Sequence, residues 1–257
     1  MRISNSIGLV GLLLLAVSAA PAATVYLDPL NGSGSDLNGT SPADRGGTGT
    51  AEWVAGSEFN ADGSVAGQNV QSAWLPFTPQ AGKVYTLSAD VNITSTGGNW
   101  ISLGFAEGNA TTGAFYTDSA VNGYGTVLYK GNRGPGVGNA YTGVTTEGLL
   151  SGTFDPAASG AITLKVVLDT TVATSADWTV EFFAAGTSFA GPSTIAAADT
   201  DGDSEFGDLG DIGYVGLTNL NDVTGTIKNF TLTEVPEPAS MTLLMLAGAG
   251  ALIRRRR

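Results

Sequence analysis

The feature that most constrains this fold is a strict alternation of apolar and polar side chains in two segments, residues 83–94 and 161–169. The apolar positions of the first segment are Tyr85, Leu87, Ala89, Val91 and Ile93, and those of the second are Ile162, Leu164, Val166 and Leu168. A period of two places every second side chain on the same face of a β-strand. The two segments are therefore predicted to be strands of antiparallel sheets, with one buried face and one wet face.

Shorter segments of the same kind recur along the chain, separated by Gly, Thr, Ser, Asn and Asp, and no long segment has helical periodicity. The predicted strands are residues 25–27, 51–54, 73–77, 83–94, 100–106, 125–130, 161–169, 178–184, 212–218 and 226–233. About ten strands around one core favour an all-β, two-sheet antiparallel sandwich of jelly-roll type.

Three late segments sharpen this prediction: residues 178–183, 212–217 and 225–232. Their order resembles the closing strands of concanavalin-like (laminin-G-like) lectin and glucanase domains, and the Gly82-Lys83 turn resembles those of exported β-sandwich domains. The resemblance implies a concanavalin-like sandwich. A galactose-binding-like jelly roll is the alternative, because it has the same two-sheet physics with a different strand order.

The first 23 residues have the composition of a secretory signal peptide. Arg2 precedes an apolar core at residues 7–17, and Ala20-Pro21-Ala22 offers an Ala-x-Ala site for signal peptidase. A retained membrane helix is the alternative, which the short core and the cleavage-type flank disfavour. The body is therefore predicted to be exported, and to extend over residues 24–234.

The last 23 residues, 235–257, combine a turn, an apolar segment and a basic end. The turn is Pro236-Glu237-Pro238, the apolar segment is residues 239–253, and the chain closes with Arg254, Arg255, Arg256 and Arg257. Fifteen apolar residues span roughly 22 Å as a helix, which is short for a bilayer core of about 30 Å. The arginines favour the cytoplasmic side of the membrane.

This C-terminal arrangement resembles the PEP-CTERM signal of bacterial surface proteins. The resemblance implies cleavage by an exosortase, a membrane-embedded cysteine protease, after transient anchoring in the inner membrane. It also implies an association with exopolysaccharide and biofilm. The alternative is a tail anchor that is never cut.

The charge and composition of the body exclude several functions. Residues 24–234 contain 22 acidic and 6 basic residues, a net charge of −16, which disfavours binding to nucleic acid and to anionic lipid. The sequence has no cysteine and no histidine. Thiolate nucleophiles, histidine-dependent triads and the usual zinc sites are therefore ruled out.

An acidic run is the candidate metal site. Its carboxylates are Asp199, Asp201, Asp203, Glu205 and Asp208. Alternate carboxylates around Gly202 can turn several oxygens toward a hard cation, as calcium loops do. The run departs from EF-hand spacing, because Ser204 and Gly210 stand where that loop has its glycine and its final glutamate. Structural calcium and a solvated acidic loop both remain open.

Aromatic residues are the candidates for glycan binding. Trp53, Trp74, Trp100 and Trp178 lie in apolar contexts, where core packing is the predicted role. Three tyrosines lie in a glycine-rich stretch that predicts a surface loop, with Asn and Arg as polar partners. The candidate residues are Tyr116, Tyr124, Tyr141, Asn122, Asn132 and Arg133.

Catalysis is not expected, because no segment places two acids with the spacing that concanavalin-like hydrolases use on one strand. The predicted function is therefore that of a non-catalytic cell-surface or extracellular-matrix protein, associated with extracellular polysaccharide. A lectin-like carbohydrate-binding module is the alternative. A glycoside hydrolase or polysaccharide lyase, with acids from different strands, is the weaker alternative.

Overall fold

Thirteen β-strands and one short 3-10 helix form the regular structure of the described residues. The computed structural model describes residues 21–34, 36–46, 49–67, 69–95, 99–107, 123–130, 139–142, 160–193, 212–220 and 222–236. The strands are β1 Ala23–Asp28, β2 Val54–Ala55, β3 Ser64–Ala66, β4 Gln71–Pro76, β5 Lys83–Ile93, β6 Trp100–Glu107, β7 Gly123–Lys130, β8 Asn139–Thr142, β9 Ile162–Asp169, β10 Thr179–Ala184, β11 Thr187–Ser193, β12 Ile212–Asn219 and β13 Thr224–Pro236. The 3-10 helix is Ser175–Asp177.

The strands form two sheets. Sheet A has seven strands in the order β1-β13-β5-β9-β10-β11, with β3 paired to β13, and sheet B has six in the order β2-β4-β12-β6-β7-β8. Every pairing is antiparallel. The chain passes between the sheets at each step from β1 to β6, and again from β8 to β9, β11 to β12 and β12 to β13. This is the predicted two-sheet antiparallel β-sandwich.

One apolar core lies between the sheets and takes residues from both. The apolar side chains of β5 and β9 point into the core as predicted. Leu87 and Leu164 are completely buried, and their polar neighbours are not. Sheet B contributes Leu75, Leu103 and Leu217 from the opposite side.

Nine of the ten predicted strands are present with small shifts in their bounds, and the tenth, 51–54, shares only Val54 with β2. The strands β3, β8 and β11 were not predicted. The first two have only 3 and 4 residues, too few for a period to show. The third contains Gly191 and Pro192, which read as a turn.

Residues Ala22–Glu237 form one compact unit. The helices predicted for the signal peptide and for residues 239–253 lie outside the described residues. Where the chain is described, no helix is long and apolar enough to cross a membrane.

Candidate functional site

The outward face of sheet B differs from an ordinary wet face. In β4, Ala73 and Leu75 belong to the core, so the alternate residues Ser72 and Trp74 lie outward. The same alternation in β6 and β12 gives the rest of this surface. We call it the sheet B face and define it by Ser72, Trp74, Trp100, Ser102, Tyr214 and Thr218.

Three hydroxyl side chains form a row across this face. Thr218 of β12 is the register partner of Ser72 on one side and of Ser102 on the other. The Ser72 Oγ and Thr218 Oγ1 atoms are 3.3 Å apart. All three residues have 0% exposure, and the described residues offer Ser102 Oγ no hydrogen-bond partner. A buried hydroxyl without a hydrogen-bond partner lowers stability, so Ser102 is an unsatisfied polar group among the described residues.

An aromatic pair lies beside the hydroxyl row. The rings of Trp74 and Tyr214 meet edge to face, with centroids 4.4 Å apart and planes at 64°. Tyr214 also packs on Ala106, outside the main core. Trp74 and Tyr214 are both half-buried, so their rings are partly accessible.

Glycines keep the middle of the face flat. Gly216 is the register partner of both Trp74 and Gly104. A Cβ atom at Gly216 would lie 2.1 Å from the carbonyl oxygen of Ala73 and 2.8 Å from the Trp74 Cα. Glycine is therefore required there, and the row through Trp74 carries no other side chain on β12 or β6.

The accessible chemistry of the face is that of flat aromatic rings, because its three hydroxyl residues have 0% exposure. None of the six residues that define the face carries a carboxylate, ammonium or guanidinium group. Flat aromatic rings suit ligands with apolar faces.

A second concavity lies at the end of the sandwich where β1, β5 and β13 meet. It has a volume of about 310 Å³, and its lining includes Tyr26, Phe77, Gln80, Tyr85 and Glu234. The Tyr85 hydroxyl accepts a hydrogen bond from the Gln80 backbone N–H at 2.9 Å. Burial raises the pKa of Tyr85, and the nearby Glu234 carboxylate raises it further. Glu234 itself accepts a hydrogen bond from Lys83 Nζ at 2.6 Å.

The predicted glycan residues are only partly described. The loop prediction is wrong for two tyrosines, because Tyr124 lies in β7 and Tyr141 in β8. Glycine-rich composition suggested a loop, yet β7 pairs with β6 and β8 pairs with β7, which places both segments in sheet B. Tyr141 is the register partner of Leu128, which pairs with Ser102, so it stands in the same cross-strand row as the hydroxyls. Tyr116, Asn122, Asn132 and Arg133 lie outside the described residues.

The predicted calcium residues, Asp199, Asp201, Asp203, Glu205 and Asp208, all lie outside the described residues. Within the described ranges, no cluster of three or more acidic residues could hold a metal ion. Of the sorting residues, Pro236 ends β13, and Glu237, Pro238 and Arg254 to Arg257 lie beyond the described part.

Sequence reasoning missed the sheet B face. Core packing is correct for Trp53 and Trp178, but Trp74 and Trp100 are not part of the core cluster. The available signal was the alternation of small polar with apolar residues in β4, β6 and β12. That alternation puts Ser72, Ser102 and Thr218 each on the side of its strand away from the inward leucines. It does not show that the three strands are neighbours, which only their pairing does.

Comparison with solved structures finds partial likenesses at low identity. The Emp47p carbohydrate recognition domain is 14% identical, with a TM-score of 0.43, and the match covers 84% of this chain and 97% of that domain. A carbohydrate esterase from Shiga toxin-encoding bacteriophage phi24B has 14% identity and a TM-score of 0.43, over 84% of this chain and 100% of the other. The PL-14 alginate lyase from Aplysia kurodai has 13% identity and a TM-score of 0.37, over 71% and 82%. No curated protein sequence matches this chain.

The C-terminus gives the clearer match. Residues 234–257 fit the family model described as the PEP-CTERM protein-sorting motif. This motif includes the Pro-Glu-Pro turn, the apolar segment and the four arginines. It indicates an exported, membrane-associated surface protein and implies processing by an exosortase. The chain is thus a β-sandwich protein that carries a PEP-CTERM sorting motif at its C-terminus.

Proposed function

We propose that this exported surface protein binds a neutral polysaccharide of the extracellular layer through its sheet B face. The observation that carries the proposal is the half-buried Trp74–Tyr214 pair beside a buried hydroxyl row. One hydroxyl of that row, Ser102, lacks a hydrogen-bond partner among the described residues.

The accessible part of the face suits one side of a sugar. The C–H groups on one side of a pyranose ring form a flat apolar surface that stacks on indole or phenol rings. The half-buried rings of Trp74 and Tyr214 offer a matching surface. The hydroxyls beside them belong to residues with 0% exposure, so they do not reach a ligand.

Charge favours a neutral polymer over an acidic one. The body carries a net charge of −16, and none of the six residues that define the sheet B face is a cation that could offset a uronate. An acidic polysaccharide would be repelled over the whole body.

The test is a glycan-array screen of the mature protein, in calcium and in chelator, followed by titration of the best neutral oligosaccharide. We expect binding to neutral glycans and not to polyuronates. Trp74→Ala is expected to weaken it at least about tenfold, or about 1.4 kcal/mol. Release of new sugar ends during the assay would instead indicate a glycan-cleaving enzyme.

Phe183→Ala is the matched control. Phe183 lies on the outward face of sheet A, where the Lys165 Nζ atom lies 3.6 Å from the centroid of its ring. This variant loses an aromatic ring of similar exposure on the other sheet, and binding is expected to stay unchanged. Equal losses in the two variants, or the absence of any glycan ligand, would contradict the proposal.

A further inference from the structure

The first and last strands of the body meet at one end of sheet A. Ala23, at the start of β1, is the register partner of Glu234 near the end of β13. β13 continues to Pro236, whose register partner at the start of β5 is Lys83. We call this end of the sandwich the anchor end and define it by Ala23, Lys83 and Pro236.

Two loops extend past the paired strands at the anchor end. Residues 77–82 join β4 to β5, and residues 170–178 join β9 to β10. Thr170 is completely buried and ties the loops together. Its N–H donates to the Lys83 carbonyl at 2.9 Å, and its Oγ1 donates to the Gln80 carbonyl at 2.6 Å. The two loops therefore form one fixed surface.

The second loop presents an apolar side chain to solvent. Val172 is 44% exposed, and among the described residues Leu27, at 40%, is the other large apolar residue with such exposure. The Val172 carbonyl accepts a hydrogen bond from Trp178 Nε1 at 2.9 Å, which holds this part of the loop in place. Residues 77–82 and 170–176 contain no charged residue. The loops thus offer an uncharged surface with one exposed apolar residue.

The sorting motif keeps the anchor end close to the membrane. Its apolar segment begins at residue 239, so three Cα–Cα steps, at most about 11 Å, separate that segment from Pro236. Fifteen helical residues span roughly 22 Å, about 8 Å less than a bilayer core of about 30 Å. A segment that is too short draws its flanking residues toward the bilayer. With the arginines on the cytoplasmic side, the end of β13 is expected at the headgroups of the opposite leaflet.

We propose that the anchor end is a membrane-contact surface, and that Val172 inserts among lipid headgroups while the motif's apolar segment is in the bilayer. Insertion removes the apolar surface of Val172 from water. The headgroup region also leaves the polar backbone of the loops hydrated, as it does for other proteins that lie on a membrane surface.

The charge near the anchor end selects the lipid. Residues 194–211 join β11 to β12 at this end, because Ser193 pairs with Val180 at the start of β10. This segment contains six carboxylates: Asp199, Asp201, Asp203, Glu205, Asp208 and Asp211. They repel anionic lipid, so the partner is a membrane of neutral, zwitterionic headgroups.

The test is site-specific fluorescence quenching in vesicles. The sequence has no cysteine, so Val172→Cys gives the full chain a single site for a fluorescent label. Ala66→Cys is the matched control, because Ala66 is also exposed and pairs with Thr224 at the far end of β13. β13 has 13 residues, which places Thr224 roughly 40 Å from Pro236.

Each labelled chain is reconstituted into phosphatidylcholine vesicles with a nitroxide quencher on some headgroups, and only protein that floats with the vesicles is measured. We expect the quencher to lower the fluorescence of the label at residue 172 at least about twofold, because that side chain lies among the headgroups. The label at residue 66 should be unchanged. Added anionic phospholipid should weaken the quenching at residue 172.

The proposal is overturned if the two labels are quenched equally or if neither is quenched. Stronger quenching at residue 172 on anionic vesicles would overturn the choice of neutral headgroups. Full chain that does not float with the vesicles would also overturn the proposal, because the apolar segment would then not hold the anchor end at a membrane.

Discussion

The outward faces of the two sheets differ, whereas their inward faces are alike because both pack into the same apolar core. On sheet A the outward groups are partly exposed and pair with one another. Asp90 accepts hydrogen bonds from Thr163 at 2.5 Å and from Asn229 at 2.7 Å. On sheet B the hydroxyls of Ser72, Ser102 and Thr218 are fully buried and none of the three is charged. The same alternation thus produces a partly exposed, hydrogen-bonded face on sheet A and a face with three buried, uncharged hydroxyls on sheet B.

The largest expected effect tests whether the inward faces are equivalent. Leu87→Ala in sheet A and Leu217→Ala in sheet B should each lower the free energy of unfolding by about 2 to 5 kcal/mol, because both side chains are completely buried. Urea denaturation of the two variants measures this. Thr86→Ala, the outward neighbour of Leu87, is the control and should change stability by less than about 0.5 kcal/mol. If only one of the two leucine variants lost stability, the inward faces would not be equivalent.

The next effect sharpens the contrast between the outward faces. Ser102→Ala removes a buried hydroxyl that has no partner in the described structure, so it should leave the free energy of unfolding unchanged or raise it by about 1 kcal/mol. The same variant should leave glycan binding unchanged, because Ser102 has 0% exposure and only the neighbouring rings are accessible. Thermal melts and titrations on one sample measure both quantities. A clear loss of stability would mean that Ser102 is already satisfied, and sheet B would then resemble sheet A.

The smallest effect concerns alkaline pH at the open end of sheet A. The folded-state pKa of Tyr85 is raised, chiefly by burial, so its contribution to stability is present below the ordinary tyrosine value of about 10 and is lost as pH rises through the folded value. Tyr85→Phe should therefore flatten the fall in stability above about pH 10. Urea midpoints between neutral and alkaline pH measure the slope. The proposal of a buried, protonated Tyr85 is wrong if the slope of the variant is as steep as that of the native chain.

The sequence was sufficient for the fold because alternation is a local signal. Leu87 and Leu164 could be assigned to the core from their neighbours alone, and the same pattern predicted most of the strands. The sheet B face could not be found in this way. Ser72, Ser102 and Thr218 come from strands far apart in sequence, and only the pairing of β12 with both β4 and β6 makes them neighbours. Tyr141 could not be assigned to a strand for another reason, because β8 has only 4 residues and shows no alternation.

The most direct test of the central claim is hydroxyl-radical footprinting of the mature protein with and without its best neutral oligosaccharide. The half-buried rings of Trp74 and Tyr214 on sheet B, and of Phe183 on sheet A, serve as built-in probes. The account predicts that bound glycan lowers the oxidation of Trp74 and Tyr214 and leaves Phe183 unchanged. Protection of Phe183, or unchanged oxidation of Trp74 and Tyr214 at saturating glycan, would contradict it.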